Sequence, residues 1–424
     1  MEKIELEIIS NGMNGEGIAK KDGKVYFVEG AISGENVIAE IIKENKNFLN
    51  AKTTNVLNES EFRVIPKCEY FGKCGGCDLQ HINYAKQLQI KTDNVKNLFF
   101  KHKIECEILD CVPSNCCFNY RNKLTMYFNG NSLCFFKKNS RQLVEINNCL
   151  LVDDNFNNLI NKLNQFFKIN REFNVSIFKG VSIRQIKEIF ILNFILKKKI
   201  NFNKLENYLK LNKINYSLYY CINNDTILPS FPTYFVGGIK NVYLNEFEIN
   251  YPIYPLSFLQ VNNYIKNIIY QKIHEQIKQY NNVLDAYSGA GLLSAILAKN
   301  NKKVYAVEIN ESASVACKIL CKENKIENVE AICGDCDKVI PKLIKEVDFD
   351  CVILDPARAG VSKNILLSLC DAHIRKIVYL SCNPATLTRD IEILVGFGYK
   401  VEMVQPFDMF PQTANVETLV ELKI

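Results

Sequence analysis

No apolar run in this sequence approaches the ~18 residues that a membrane-crossing helix requires. Internal repeats and long low-complexity tracts are missing too. The opening stretch MEKIELEIISNG is acidic and alternates apolar with polar residues, unlike a secretory or transit leader, so a cytoplasmic chain is expected. Tryptophan is absent. Neither GxGxxG nor a Walker loop occurs, which removes the usual sequence signs of dinucleotide and nucleoside-triphosphate binding. The C-x3-C-x2-C spacing of radical enzymes is also lacking.

What remains is ordinary globular composition. The 424 residues are 48% hydrophobic and 23% charged, enough for two to four domains at about 100–200 residues each. The 17 cysteines are scattered through apolar runs such as FDCVILD, which suits a reducing compartment and core packing. The net charge of +6 is unevenly spread. Residues 1–60 carry 7 Lys against 10 Asp and Glu, residues 61–250 carry 26 Lys and Arg against 16 acids, and residues 251–424 carry 19 against 20. The basic middle is also rich in Tyr, Phe and Asn, as a surface that meets a polyanion such as RNA would be. A merely solvating charge excess is the alternative.

Residues 1–60 read as short strands (IELEIIS, GKVYFVEG, ENVIAEIIKE) between turn-rich segments, which predicts a closed five-stranded barrel of the oligonucleotide-binding type. A Pro-, Gly- and Cys-rich knot, FRVIPKCEYFGKCGGCDLQH, follows, then a helical pattern over about 84–102 suited to pack on the last domain. Residues 61–250 form a central α+β domain, with LVDDNFNNLINKLNQFFKI its clearest amphipathic helix. From 251 to 424 strands alternate with helices. This predicts an α/β domain with a parallel sheet, helices on both faces and a ligand beyond the carboxyl ends of the strands.

The loop Asp285-Ala286-Tyr287-Ser288-Gly289-Ala290-Gly291 lets a ligand approach backbone at a helix start, and Glu308 ends the next strand. An acid 23 residues after Asp285 is placed to hold both hydroxyls of a ribose. Without a phosphate signature, S-adenosylmethionine fits this pair better than a dinucleotide. Asp335 in CGDC and Asp355 in ILDPARAG end further strands. Asp335 could face the adenine; for either residue a turn or helix cap is the alternative.

Cys382 in KIVYLSCNPATL emerges at the same edge, whereas Cys333, Cys351 and Cys370 read as inert packing. A thiol beside a methyl donor suggests one chemistry. Carbon 5 of a pyrimidine is a poor nucleophile until a thiolate adds at carbon 6, after which a base must remove the carbon-5 proton. Glu417 in TANVETLVEL is the candidate base. A buried structural cysteine is the plainer alternative for Cys382.

Cys68, Cys74 and Cys77 lie too close together for chance core packing. A fourth ligand from among Cys106, Cys111, Cys116, Cys117, Cys134 and Cys149 would complete a structural zinc site or a [4Fe–4S] cluster.

Taken together, these motifs resemble the RNA uracil-5 methyltransferases, in the branch that carries an N-terminal TRAM domain and a [4Fe–4S] cluster and modifies 23S ribosomal RNA. The matching stretches are GEGIAKKDGKVYFVEGAISGE, the cysteine knot, NYRNKLTM, QLVEINNCLLVDD, SFLQVN, DAYSGAG, VEIN, DPAR and SCNP, in the family's order. The resemblance implies a class I, Rossmann-like methyltransferase domain behind a TRAM barrel and an iron–sulfur domain. It implies Cys149 as the fourth cluster ligand, Gln260, Tyr287, Glu308 and Asp355 as S-adenosylmethionine contacts, Cys382 as nucleophile and Glu417 as base. A monomer acting on RNA without a membrane is expected. The family usually reads Asp-Pro-Pro-Arg where Ala357 stands here, and histidine where Asn415 stands. Two rival readings are a methyltransferase of the transfer RNA T-loop and a non-catalytic RNA-binding assembly factor.

Overall fold

Period-2 patterns in the first sixty residues become β1 (Lys3–Glu7), β2 (Ser10–Asn11), β3 (Gly17–Lys21), β4 (Lys24–Glu29), β5 (Asn36–Glu44) and β6 (Phe48–Asn58). The computed structural model describes residues 2–170, 172–226 and 228–424. The strands pair in the order β1-β5-β6-β4-β3-β2. The chain just past β1 returns to β3, where Ile9 N–H donates to Ile18 O at 2.8 Å. The two-residue β2 is an addition to the five strands expected. Leu6, Ala19, Val28, Val37 and Ala51 point inward and form the barrel core. Arg63 then pins the linker beneath it, donating twice to the buried Glu35 carboxylate at 2.6 Å.

After helix α1 (Tyr84–Lys101) comes the central domain: β7 (Lys123–Phe128), β8 (Leu133–Phe136), β9 (Leu143–Glu145), α2 (Asp154–Ile169), β10 (Phe178–Ile186), β11 (Ile189–Leu196), α3 (Asn203–Leu211), β12 (Asn215–Ile222) and β13 (Thr233–Gly238). Its sheet runs β13-β12-β11-β10-β7-β8-β9. Phe156, Leu159, Ile160, Leu163, Phe166 and Phe167 recur on one face of α2 at helical spacing and pack against Phe178 and Phe194 of the sheet. Asp153 starts that helix by accepting from Phe156 N–H.

A hairpin, β14 (Val242–Glu246) and β15 (Ile249–Ile253), leads into the last domain. There α4 (Asn263–Ile277), β16 (Asn282–Ala286), α5 (Leu292–Leu297), β17 (Lys303–Glu308), α6 (Glu311–Glu323), β18 (Val329–Cys333), α7 (Cys336–Glu346), β19 (Cys351–Leu354), α8 (Lys363–Asp371), β20 (Lys376–Ser381), α9 (Pro384–Gly396), β21 (Lys400–Phe407) and β22 (Glu417–Lys423) alternate. The order is β18-β17-β16-β19-β20-β22-β21. Strands β16 to β20 are parallel, but β22 inserts antiparallel between β20 and β21. The sheet is therefore mixed, not parallel throughout as the pattern predicts. The link between β21 and β22 is too short for a crossover helix, so the strand must come straight back.

Helix α1 belongs physically to this domain. Val95 and Phe99 share a core with Leu387 and Ile391 of α9 and Val404 of β21. Lys91 pairs with the buried Asp408, and the Tyr84 hydroxyl donates to the same carboxylate at 2.8 Å. Residues 104–112 run along β21, with Leu109 N–H on Val404 O (3.0 Å) and Val112 N–H on Pro406 O (2.9 Å), so the outer edge is covered.

Candidate active site

Strand register gathers the candidate residues. Ser381 of β20 is paired with Thr418 of β22 in antiparallel register. Continuing that register by one position sets Cys382, just after Ser381, opposite Glu417, just before Thr418. Directly opposed residues of antiparallel strands lie about 5 Å apart at Cα and point to the same face. On the other side of β20, Leu354 pairs with Tyr379 and Ala286, so Asp355 and Tyr287 leave adjacent strand ends. Cys382 is followed by Asn383, which caps α9 by accepting from Ala385 N–H at 3.2 Å, and by Pro384 in the first helical turn. The turn fixes the half-buried thiol at the carboxyl edge of the sheet.

Electrostatics tie the cluster together. Burial pushes the Cys382 thiol up, the charge of Glu417 adds to this, and the Arg358 guanidinium draws it down. Glu417 is 2% exposed, and burial raises its carboxyl well above the ordinary range, Asp355 adding and Arg358 opposing. A carboxyl held high is suited to take and return a proton near neutral pH. Arg358, from the DPAR segment, donates to the Asn415 side-chain oxygen at 3.2 Å, and its own carbonyl accepts from Asn383 Nδ2 at 2.9 Å.

The crevice for a second ligand opens where the strand order reverses, between β16 and β19. Tyr287 sits there at φ 63°, a left-handed conformation rare for an aromatic residue, followed by Gly289 and Gly291 at positive φ. A Cβ on Gly291 would lie 2.2 Å from Cys317 Sγ, so only glycine lets α6 pack this close. Glu308 accepts from Gly289 N–H (3.0 Å) and Asn310 N–H (2.7 Å), holding the loop while staying only half-buried. Asp335 caps α7, accepting from Asp337 N–H at 3.1 Å. Asp355 is pushed up to about 7 by burial and then by Asp285, itself raised to about 7 by burial. The buried Ser288 hydroxyl has no partner in the structure. Gln260 is buried in the segment leading into α4, its carbonyl accepting from Asn122 Nδ2 at 3.0 Å.

Cys68, Cys74, Cys77 and Cys149 line one cavity of about 540 Å³, together with Gly75, Gly76 and the cations Arg121, Lys123 and Arg184. A Cβ on Gly76 would stand 3.4 Å from Cys74 Sγ. Arg184 is 3% exposed, and its Nε and Nη1 have no partner in the structure. Among the described residues no three His, Cys, Asp or Glu side chains converge tightly enough to hold a single metal ion. Cys111 and Cys134 are buried elsewhere, Cys106 packs against the hydrophobic core of the last domain, and Cys116 and Cys117 do not line this cavity. Asp78, next to Cys77, accepts from Ala414 N–H at 3.2 Å, and Asp78 and Leu79 N–H both donate to Gln412 O at 3.0 Å. The knot therefore holds the loop that delivers Glu417.

The profile of the tRNA (uracil-5-)-methyltransferase family matches residues 83–424, and the TRAM domain matches residues 2–54. The chain belongs to that family. It is an S-adenosylmethionine-dependent RNA (uracil-5-)-methyltransferase behind a TRAM domain. A protein of Clostridium tetani named as an uncharacterized RNA methyltransferase is 34% identical over 446 residues, covering 98% of this chain and 95% of its own. One of Thermotoga maritima with the same name is 31% identical over 438 residues, covering 100% and 99%. The crystal structure of Pyrococcus abyssi tRNA (uracil-54, C5)-methyltransferase with S-adenosyl-L-homocysteine superposes with a TM-score of 0.80 at 25% identity, covering 99% of this chain and 100% of that one. No helix among the described residues is long and apolar enough to cross a membrane.

Two features of this methyltransferase escape sequence reasoning. Arg358 reads only as part of a loop motif, yet it faces both Cys382 and Glu417. Tyr270 of α4 is half-buried and faces the charges of Asp355, Asp285 and Glu417, and only its place on an apolar helix face hints at it. Cys333, expected to pack inertly, is exposed at the end of β18 because it closes an outermost strand.

Proposed function

We propose that Cys382 and Glu417 carry out methylation of carbon 5 of a uridine, with 23S ribosomal RNA as the target. The observation that supports the pair best is their opposed register at the ends of β20 and β22, under one shared guanidinium. The Cys382 thiolate adds to carbon 6, and the ring electrons move to carbon 5, which takes the methyl group and releases S-adenosylhomocysteine. Glu417 then takes the carbon-5 proton, the carbon–sulfur bond breaks, and the thiolate is restored. Tyr287, Glu308 and Asp355 surround the donor crevice, with Asp335 at its rim and Gln260 as the further contact the resemblance implies. The neighbouring carboxyls of Asp285 and Asp355 favour a ligand bearing positive charge, as a sulfonium with an ammonium does.

The cysteine cavity suits a [4Fe–4S] cluster. Four thiols around one space match the donor set, and Arg121, Lys123 and Arg184, whose Nε and Nη1 are unpartnered, supply countercharge for four thiolates. Cys68, Cys74, Cys77 and Cys149 would hold it. When bound it would cross-link the knot to the central sheet, and no electron transfer is needed for methylation.

The ribosomal target rests on the likeness of the TRAM barrel and the cysteine knot to the 23S-modifying branch. A transfer RNA T-loop is the second reading, favoured by the superposition on the Pyrococcus enzyme over nearly its whole length. Mass mapping of 5-methyluridine in total RNA from a deletion strain separates them. Loss from 23S RNA alone is expected, and loss from transfer RNA alone would overturn that assignment.

A further inference from the structure

The outer edge of the central sheet carries a ladder of aromatic rings. Phe202 and Tyr220 stack at 5.8 Å and 27°, and Tyr220 and Tyr234 at 5.0 Å and 24°, so three rings climb in near-parallel steps from the core toward solvent. Phe202 and Tyr220 are buried, whereas Tyr234 is 43% exposed and ends the ladder. Tyr220 and Tyr234 are paired in register on β12 and β13, which puts both rings on one face. Beside them opens a cavity of about 590 Å³, lined by Lys199, Asn201, Phe202, Asn203, Tyr220 and Tyr234 among others. Pockets of about 300–1,000 Å³ take small ligands or parts of larger ones.

Among the residues lining this cavity the charge is that of Lys199. Lys197, Lys198 and Lys199 are consecutive, exposed, and without an ion pair among the described residues. Three adjacent like charges repel one another, an arrangement that a bound anion relieves. Helix α3 begins here. Its N-cap Phe202 offers no side-chain acceptor, and although Asn203 N–H is taken by the Asn201 side chain at 2.7 Å, the Lys204 and Leu205 N–H groups that follow have no partner among the described residues. Glu206 in that turn is held by the Tyr216 hydroxyl at 3.1 Å. A flat unsaturated ring continuing the stack and a phosphate beside the lysines together describe a nucleotide.

We propose that Tyr234, Lys199 and the start of α3 form a docking platform for single-stranded RNA, separate from the reacting centre. One nucleobase stacks on the outer face of Tyr234, and its phosphate lies against Lys199 and the open N–H groups of α3. Tyr220 and Phe202 belong to the α2 side of the central sheet, whereas the neighbouring Tyr219 points to the opposite face, into the core shared with α5 and α6 of the last domain. It would therefore grip a flank of the substrate and not the methylated uridine. The platform rests on the RNA-methylating reading of the reacting centre.

The test uses the full chain and a fluorescein-labelled ten-nucleotide oligouridylate, read by anisotropy, with 4-thiouridine substituted in a parallel cross-linking sample. Tyr234→Ala should weaken binding on the order of ten-fold, as removal of one base-stacking ring does, and Tyr234→Phe should restore it. Replacing Lys197, Lys198 and Lys199 together with Gln should weaken binding and flatten its salt dependence. The cross-link should map to peptides containing Tyr234 or Lys199. Wild-type affinity in a folded Tyr234→Ala protein overturns the platform and leaves the patch to a protein contact. If that variant fails to fold, the exposed lysine triple decides by the same criterion. Methyl transfer by the wild-type chain to unmodified total RNA is measured alongside. Turnover with no change on Tyr234→Ala removes the platform alone, and platform binding without turnover removes the enzymatic reading alone.

Discussion

The Arg358 guanidinium donates to the Asn415 side-chain oxygen at 3.2 Å while its charge lowers the pKa of both Cys382 and Glu417. Asn415 stands where the resemblance drawn from the sequence implies histidine, and it cannot titrate. Its contribution is to orient the cation that faces Cys382 and Glu417.

Removing that cation should therefore raise both pKa values. Arg358→Gln is expected to move the acid limb of the pH–rate profile to higher pH, because less Cys382 thiolate exists at any given pH. On that limb the rate follows the thiolate fraction, so a ten-fold stronger hold on the proton slows turnover about ten-fold. Asn415→Ala should move the limb the same way by less. A profile measured from pH 6 to 9.5 on unmodified RNA checks this, and a limb unmoved in Arg358→Gln would separate the guanidinium from the chemistry.

Cys382→Ala should abolish turnover while leaving S-adenosylmethionine affinity nearly intact, since the thiol acts on the base and not on the donor. Residual turnover within ten-fold of wild type would sink the covalent route. Glu417→Gln should instead accumulate a protein–RNA adduct on denaturing gels, because addition and methyl transfer proceed but proton removal does not. Normal turnover without an adduct would move the base elsewhere.

Asp285 and Asp355, each at about 7, give two linked expectations. A cationic donor binds the ionised carboxylates better, so S-adenosylmethionine affinity should rise with pH through about 7, and Asp355→Asn should flatten that rise. For folding the sign is opposite. Both carboxyls hold protons in the native chain that the unfolded chain releases, so their contribution is present at low pH and lost as pH rises through about 7. Asp355→Asn should thus gain in thermal midpoint relative to wild type between pH 5.5 and 8, and a constant difference would contradict the assignment.

Anaerobically purified protein should be brown and carry iron, and Ser at any of Cys68, Cys74, Cys77 or Cys149 should abolish both. Folding and RNA binding should suffer before chemistry, with the Cys77 variant most harmful because Asp78 anchors Gln412 and Ala414 ahead of Glu417. Stoichiometric zinc without iron would refute the cluster and leave the methyltransferase untouched.

Much of this was legible in the chain because strand ends announce themselves. Glu308, Asp355 and Cys382 each follow an apolar run at the point where it meets a polar or turn residue, and a parallel sheet places such points on one edge. The antiparallel return of β22 was not legible, because periodicity carries no direction. Nor was the guanidinium of Arg358, whose reach to Asn415 spans 57 positions of sequence. The place of α1 shows the same limit. Its apolar stripe says that it packs, but only tertiary structure says that Val95 and Phe99 meet α9.

The ion pair of Lys91 with Asp408 bears on how such an enzyme can be assembled in evolution. A carboxylate with no solvent access depends on a cation and a hydroxyl that both come from α1, more than 300 positions upstream. Severing the chain at residue 250 would strand that charge, at a cost of about 3–5 kcal/mol. The methyl-transferring unit is thus not a cassette to which RNA-recognition modules were simply appended. Helix α1 must be inherited with it, and a chimera that exchanges the upstream half between relatives should survive only when the junction falls before Tyr84.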